Sequence, residues 1–220
     1  IRKLVPFADA AKKQGVKVYH LNLGQPDIKS PACALDAVRN YSQENVSYSH
    51  SAGLMELRKG LVEKYYRKIG IDITVDELIV TIAGSESVNL ALEITCNPGD
   101  EVIVLEPFYT NYNTFAFMNG LTLKAIPTDI RNGFQIPPIE EFEKAITERT
   151  KAILVCNPGN PTGTQYSKES MLALGEIARK HDLFILSDEV YREFCYTDEP
   201  HFSAMNIPGL EQNVILIDSV

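Results

Sequence analysis

The sequence predicts an α/β fold, a mostly parallel sheet with helices on both faces. Three observations carry this expectation. Apolar, β-branched runs of strand length recur along the chain, helical patterns lie between most of them, and the runs lack the polar alternation of a sheet with one wet face. Runs of that kind are buried on both sides.

In chain order, residues 1–30 read as an N-terminal arm, and residues 31–220 as one continuous domain without repeats, low-complexity tracts or a long linker. Helices are expected around Ala32 to Tyr41 and Leu54 to Ile69, the second because Leu54, Leu57, Leu61 and Tyr65 recur at a helical period. Strands are expected at Leu78 to Ile82, Val102 to Leu105, Leu121 to Ile126, Ala152 to Cys156, Leu183 to Leu186 and Val214 to Ile217. Helical patterns at Glu86 to Thr95, Ile139 to Ile146 and Lys168 to His181 fall between them. Asn97-Pro98-Gly99-Asp100 and Asn206-Ile207-Pro208-Gly209 read as turns rather than domain boundaries, because strand and helix patterns resume at once.

Composition narrows the function classes. At 220 residues and 45% hydrophobic content the chain can bury a sizeable core. A formal net charge of -8, a pI near 5.1 and no cluster of Lys and Arg argue against a nucleic-acid partner. The longest apolar runs fall far short of the roughly 20 residues that span a membrane, and the start of the chain lacks the sustained apolar core of a signal peptide. Cys33, Cys96, Cys156 and Cys195 are widely spaced, which favours reduced thiols in a cytoplasmic protein over a zinc or redox pair. His20, His50, His181 and His201 are equally scattered and give a metal site no support.

The densest chemical signal is Ser187-Asp188-Glu189-Val190-Tyr191, directly behind the apolar run Leu183 to Leu186. A carboxylate at a buried strand end can keep a heteroaromatic nitrogen protonated, and a phenol three residues on can hydrogen-bond a ring oxygen. That pair suits an electron-sink cofactor. Upstream, Asn157-Pro158-Gly159-Asn160-Pro161-Thr162-Gly163 forms a polar turn after another apolar run, and both motifs sit where open α/β sheets bind ligands. Gly84-Ser85 opens a helix whose unpaired first amides suit a phosphate, although for such a pair taken alone a plain N-cap by Ser85 is the commoner explanation. Asp188 could likewise cap a short helix, and Arg192 and Glu193 read as solvated neighbours.

These motifs, in order, resemble the fold type I pyridoxal-phosphate enzymes, specifically the class I/II aminotransferases related to aspartate aminotransferase. The resemblance covers nearly the whole chain. It takes in Leu23-Gly24-Gln25-Pro26-Asp27, Tyr48 with Gly53 and Leu57-Arg58, Ala83-Gly84-Ser85-Glu86, Pro107-Phe108-Tyr109, the Asn-Pro-Thr-Gly turn and Ser187 to Tyr191. It implies the large cofactor-binding domain of that fold, with a seven-stranded-type sheet, and makes residues 1–30 the arm and the start of a small-domain segment. The cofactor it implies is pyridoxal 5'-phosphate, and the reaction is transfer of an amino group between an amino acid and a 2-oxo acid. Other lyases using the same cofactor, such as C-S lyases and decarboxylases, and aminotransferase-like domains of transcription regulators share the pattern.

Residue by residue, the resemblance puts Ala83, Gly84, Ser85 and Ser219 on the cofactor phosphate, Tyr109 over the ring face, and Asp188 on the ring nitrogen. Tyr191 falls on the ring oxygen, and Asn160 on that oxygen or a substrate carboxylate. Gly24 matches a backbone amide for the substrate carboxylate, and Tyr48 a tyrosine that reaches the phosphate of the other subunit, which implies a homodimer with shared sites. In the family a lysine that links the cofactor follows three positions after the serine matched by Ser219, so this sequence of 220 residues reads as most of the large domain of a longer enzyme and is not expected to transaminate alone.

Overall fold

The computed structural model describes residues 2–21, 24 and 26–219, so Leu23, Gln25 and Val220 lie outside the described residues. The chain divides into two compact units, Ile1–Tyr48 and Ser49–Val220. The first holds helix α1 (Val5–Lys13), which starts with Pro6 in its first turn, where a missing N–H leaves no bond unmade, and helix α2 (Ala32–Arg39). Neither helix buries a side chain. The expected arm of residues 1–30 lies within this unit.

The second unit is built on five parallel strands, β1 (Glu101–Glu106), β2 (Thr122–Pro127), β3 (Thr150–Cys156), β4 (Phe184–Asp188) and β5 (Val214–Ile217), in the spatial order β2-β1-β3-β4-β5. Its helices are α3 (Met55–Gly60), α4 (Ala83–Thr95), α5 (Asn111–Met118), α6 (Ile139–Ala145) and α7 (Lys168–His181). Side chains alternate across a strand, so each apolar run feeds two cores at once. Ile103, Ile153 and Ile185 pack with Phe142 of α6 and Met171, Leu174 and Ile177 of α7. Val102, Val104, Leu154 and Leu186 pack with Val88 and Leu92 of α4 and Tyr112 and Ala116 of α5. Each buried Val, Leu, Ile, Phe or Met side chain among these contributes roughly 1.5–3 kcal/mol. Among the described residues no helix is long and apolar enough to cross a membrane.

Five of the six expected strands form. The exception is Leu78 to Ile82, which is extended but joins no ladder of the sheet among the described residues. Its backbone groups go elsewhere: the Arg58 guanidinium donates to the Leu78 carbonyl at 3.0 Å, and the Val80 amide donates to the Ala52 carbonyl at 3.0 Å. Among the described residues the sheet has five strands, part of the seven-stranded-type sheet that the resemblance implies for the full large domain. The expected helix from Leu54 to Ile69 is present, but α3 continues as a π-type turn (Leu61–Tyr65) and a 3₁₀ turn (Tyr66–Ile69), which ends at Gly70 with φ 77°.

The strand order places a switch between β1 and β3, since the chain runs outward from β1 to β2 and then returns to β1's other side. Open parallel sheets bind ligands beyond the carboxyl ends of strands that flank such a switch. Packing on the far face leaves little slack. A Cβ at Gly175 on α7 would stand 2.5 Å from Ile207 Cγ2. Gly175→Ala should therefore destabilise the fold by about 1–3 kcal/mol, read as a lower melting temperature; unchanged melting would show that this contact yields freely.

Candidate active site

Four strand ends and one helix start converge on a cavity of about 320 Å³. This is near the lower end of the roughly 300–1,000 Å³ of small-molecule sites. Beyond β1 stands Tyr109. Cys156 ends β3 with Asn160 beyond it, Asp188 ends β4 with Tyr191 beyond it, and Ser219 follows β5. Ala83, Gly84 and Ser85, the start of α4, close the wall together with Val88 and Val190.

The α4 start owes its position to an unusual backbone. Ala83 has φ 61°, a left-handed conformation that a Cβ disfavours by roughly 1–2 kcal/mol. It turns the extended segment sharply into the helix. Among the described residues no side chain caps α4; Glu86 accepts the Ile82 amide, and the hydroxyls of Thr81 and Ser87 pair with each other at 2.7 Å. The helix thus presents its first turn to the cavity with amides available to an anion. At Gly84 a Cβ would lie 3.3 Å from Val190 Cγ1, so glycine allows this turn to rest against the segment beyond β4.

The Asn-Pro-Thr-Gly loop is latched to its neighbours. The Asn157 amide extends the ladder by donating to the Asp188 carbonyl at 2.9 Å, and the Asn157 side-chain oxygen accepts from the Tyr166 amide at 3.0 Å. The Gly159 amide donates to the Thr164 carbonyl at 2.8 Å. Held this way, Asn160 donates from its amide nitrogen to the Tyr191 hydroxyl at 3.2 Å.

Asp188 is the electrostatic centre. Its side chain is buried, and its Oδ2 accepts from the Tyr112 hydroxyl at 2.6 Å, with a longer bond from the Val190 amide to Oδ1 at 3.4 Å. Burial pushes its carboxyl above the ordinary carboxylate range, and the Tyr112 hydrogen bond opposes that shift without cancelling it. Burial also raises the neighbouring Tyr112 phenol, and raises the Cys156 thiol to about 12, so both stay protonated at neutral pH. The Tyr109 ring meets that of Tyr112 edge to face, with centroids 5.5 Å apart, and Asn111 donates to the Tyr109 hydroxyl at 2.7 Å. A cation arriving beside Asp188 would restore the interaction energy that burial has removed.

The match to known proteins decides the family. The model for aminotransferase class I and II matches residues 16–219. The chain belongs to this family. An aspartate/prephenate aminotransferase of Thermus thermophilus is 38% identical over 193 residues, 87% of this chain and 50% of that protein. An aspartate aminotransferase of Thermotoga maritima is 35% identical over 193 residues, 87% of this chain and 51% of that protein. Among solved structures, a double mutant of Thermus thermophilus aspartate aminotransferase superposes with a TM-score of 0.91 at 34% identity, covering 98% of this chain and 56% of that one. An alanine aminotransferase of Pyrococcus furiosus gives 0.86 at 34% identity, covering 99% and 56%. The chain spans about half the length of the relatives it matches. Class I and II aminotransferases use pyridoxal phosphate.

Of the residues singled out from sequence, Ala83, Gly84, Ser85, Tyr109, Asn160, Asp188, Tyr191 and Ser219 line this one cavity. Gly24 and Tyr48 lie in the first unit, both exposed. Arg192 differs from the reading as a solvated neighbour: its side chain is buried, drawn in by ion pairs, whereas Glu193 is exposed as expected. Sequence reasoning passed over Tyr112 as the partner of Asp188, because the two are 76 residues apart and only the β1–β3–β4 order brings them together. It also passed over Cys156, which reads simply as the last apolar residue of a strand.

A buried acid raised above its ordinary value stabilises the fold only when protonated. That contribution is complete below the unfolded value and is lost as pH rises through the folded one. Asp188→Asn removes the charge and keeps an acceptor for Tyr112. Without ligand, this variant should melt above the unaltered protein near neutral pH, and the difference should shrink as pH falls toward the carboxylate range. A variant that melts lower at neutral pH would contradict the burial cost assigned to Asp188.

Proposed function

We propose that the whole protein is a pyridoxal-phosphate-dependent aminotransferase that moves an amino group between an amino acid and a 2-oxo acid. One observation carries the reading most strongly: a single cavity joins a buried carboxylate, Asp188, to an uncapped helix start with a serine beside it, Ser85, and a second serine, Ser219. These are the two recognition elements that a heteroaromatic cation with a phosphate tail requires. The relatives named above, aspartate, aspartate/prephenate and alanine aminotransferases, support the same reaction class.

The residues divide the work. When bound, pyridoxal phosphate supplies an electron sink for negative charge developing on the substrate's α-carbon. Asp188 would keep a proton on the ring nitrogen, which makes that sink effective, and Tyr112 would hold the carboxylate's orientation. Tyr191 and Asn160, already hydrogen-bonded to each other, would donate to the ring oxygen, with Asn160 also within the repertoire for a substrate carboxylate. Tyr109 would cover one ring face, and the amides of Ala83, Gly84 and Ser85 with the Ser219 hydroxyl would bind the phosphate. Gly24 and Tyr48 take the roles that the family resemblance gives them: a backbone amide for the substrate carboxylate, and a hydroxyl lent to the phosphate of a second copy of this chain.

A homodimer is part of the proposal. Leu90 and Ile94, one turn apart on α4, and Phe117 and Met118 at the end of α5 are exposed apolar side chains of the kind that self-association buries. A cytoplasmic location, where the four free thiols stay reduced, completes it.

The test is a half-reaction. Given a donor amino acid and no acceptor, the reconstituted whole protein should release 2-oxo acid stoichiometrically and stop, then resume when an acceptor oxo acid is added. Continuous release without an acceptor would mark a lyase and overturn the proposal. Asp188→Asn should lower kcat/KM by about 10²–10³-fold, as loss of a preorganised electrostatic group does, and Tyr191→Phe by about tenfold, the worth of one hydrogen bond. An Asp188→Asn variant of undiminished activity would contradict the role given to this carboxylate.

A further inference from the structure

Just behind the cavity wall lies a buried charge network that the proposed reaction does not use. Asp188, Val190 and Tyr191 line the cavity, whereas Glu189 and Arg192 of the same segment do not. Glu189 is fully buried and gathers donors from its own strand end and from the segment 201–204. Its Oε1 accepts from Ser187 Oγ at 2.9 Å, Ser203 Oγ at 3.0 Å and the Ala204 amide at 2.9 Å, and its Oε2 lies 2.8 Å from His201 Nε2. This carboxylate is therefore fixed independently of Arg192. The Arg192 Nη2 donates to Glu189 Oε2 at 3.1 Å and reaches Asp218 Oδ2 at 3.4 Å. Asp218 Oδ2 also accepts from the Tyr66 hydroxyl at 3.2 Å, and Asp218 Oδ1 accepts from the Ser219 amide at 2.8 Å.

The arrangement spans a gap in the backbone. The β4–β5 ladder ends with the Asp188–Ile217 register, and the last backbone bond between the two segments is the Glu189 amide to the Ile217 carbonyl at 2.8 Å. Beyond it no backbone hydrogen bond joins the two segments among the described residues, one leading to Tyr191 and the other to Ser219. The Arg192 guanidinium is the charged group that touches both. Its Nε and Nη1 find no hydrogen bond among the described residues, and its central carbon stands 5.9 and 5.7 Å from the ring centroids of Tyr65 and Tyr66, which offer π faces in place of oxygen. A charge buried with two unpaired donors is not an arrangement that stability alone selects.

We propose that Arg192 is a positioning residue: by bridging Glu189 to Asp218 it sets the spacing between the ring-binding end of the cavity, Asp188 with Tyr191, and the phosphate-binding end at Ser219. This rests on the reading of the cavity as a pyridoxal phosphate site. A ligand with two anchoring groups on one rigid frame gains from both only when the two receiving ends keep a fixed distance. Arg192 therefore acts on the joint binding of ring and phosphate rather than on either alone.

The experiment measures, in the ligand-free whole protein, dissociation constants for pyridoxal phosphate, for pyridoxal without its phosphate, and for inorganic phosphate. In Arg192→Met, pyridoxal phosphate should bind about tenfold more weakly, within the range of coupling between residues in contact, while pyridoxal and inorganic phosphate each bind within about twofold of the unaltered protein. Arg192→Lys, which keeps the charge but not the planar fork, should show a smaller loss of the same pattern, and Asp218→Asn combined with Arg192→Lys should lose less than the sum of the two. Arg192→Lys and Asp218→Asn carry the test if the methionine variant does not fold. Equal weakening of all three ligands, or unchanged binding of pyridoxal phosphate, would overturn the proposal. An unaltered protein that does not bind pyridoxal phosphate would instead refute the underlying reading of the cavity.

Discussion

At the carboxyl end of β4 the Asp188 carboxylate is kept from water by its neighbours and held by one phenol, the Tyr112 hydroxyl at 2.6 Å. In the ligand-free protein this interaction is a burden. Burial disfavours the charge, one strong hydrogen bond compensates incompletely, and the carboxyl stands above its ordinary range as a result. Such a group persists where a partner of opposite charge joins it, and pyridoxal phosphate, the cofactor of this family, carries the ring nitrogen that can be that partner. The site is locally destabilised in the manner expected of one shaped for its ligand rather than for the apoprotein.

The remainder of the domain keeps that carboxylate in place and builds the opposite end of the cavity to match. Parallel strands buried on both faces fix β1, β3 and β4 rigidly, and the switch in strand order between β1 and β3 opens space beyond their ends. The same register that sets Asp188 beside Cys156 sets it opposite Ile217, so Ser219 follows two residues beyond the end of β5. Ala83 accepts a left-handed backbone to aim α4 at the cavity. Strain of this kind collects at functional sites and is carried by the packing around it.

Much of this was legible in the residues. Uninterrupted apolar runs such as Val102 to Leu105 and Ala152 to Cys156 can be satisfied only by burial on two faces, and that alone argues for a covered parallel sheet. The acid and phenol of Asp188 and Tyr191 stood out because an ionisable pair at the end of a buried strand needs a reason. What could not be read depends on tertiary partners. Leu78 to Ile82 has the composition of a strand, but Arg58 claims the carbonyl of Leu78, a contact across 20 residues that no local pattern encodes. Helix α5 is rich in Asn, Thr, Tyr and Phe, indifferent helix formers, and is held by packing against α4 and the sheet. Arg192 reads as a surface charge until Glu189, Asp218 and two tyrosines are seen around it.

The protonation state of the bound cofactor's ring nitrogen tests the role of Asp188 most directly. Nitrogen-15 NMR of labelled pyridoxal phosphate, bound to the whole protein and to its Asp188→Asn variant, reads that state without reference to turnover. The expected result is a nitrogen that stays protonated through neutral pH in the unaltered protein and loses its proton in the variant. A ring nitrogen already unprotonated in the unaltered protein, or one whose signal the substitution leaves in place, would contradict the claim that this buried carboxylate holds the charge.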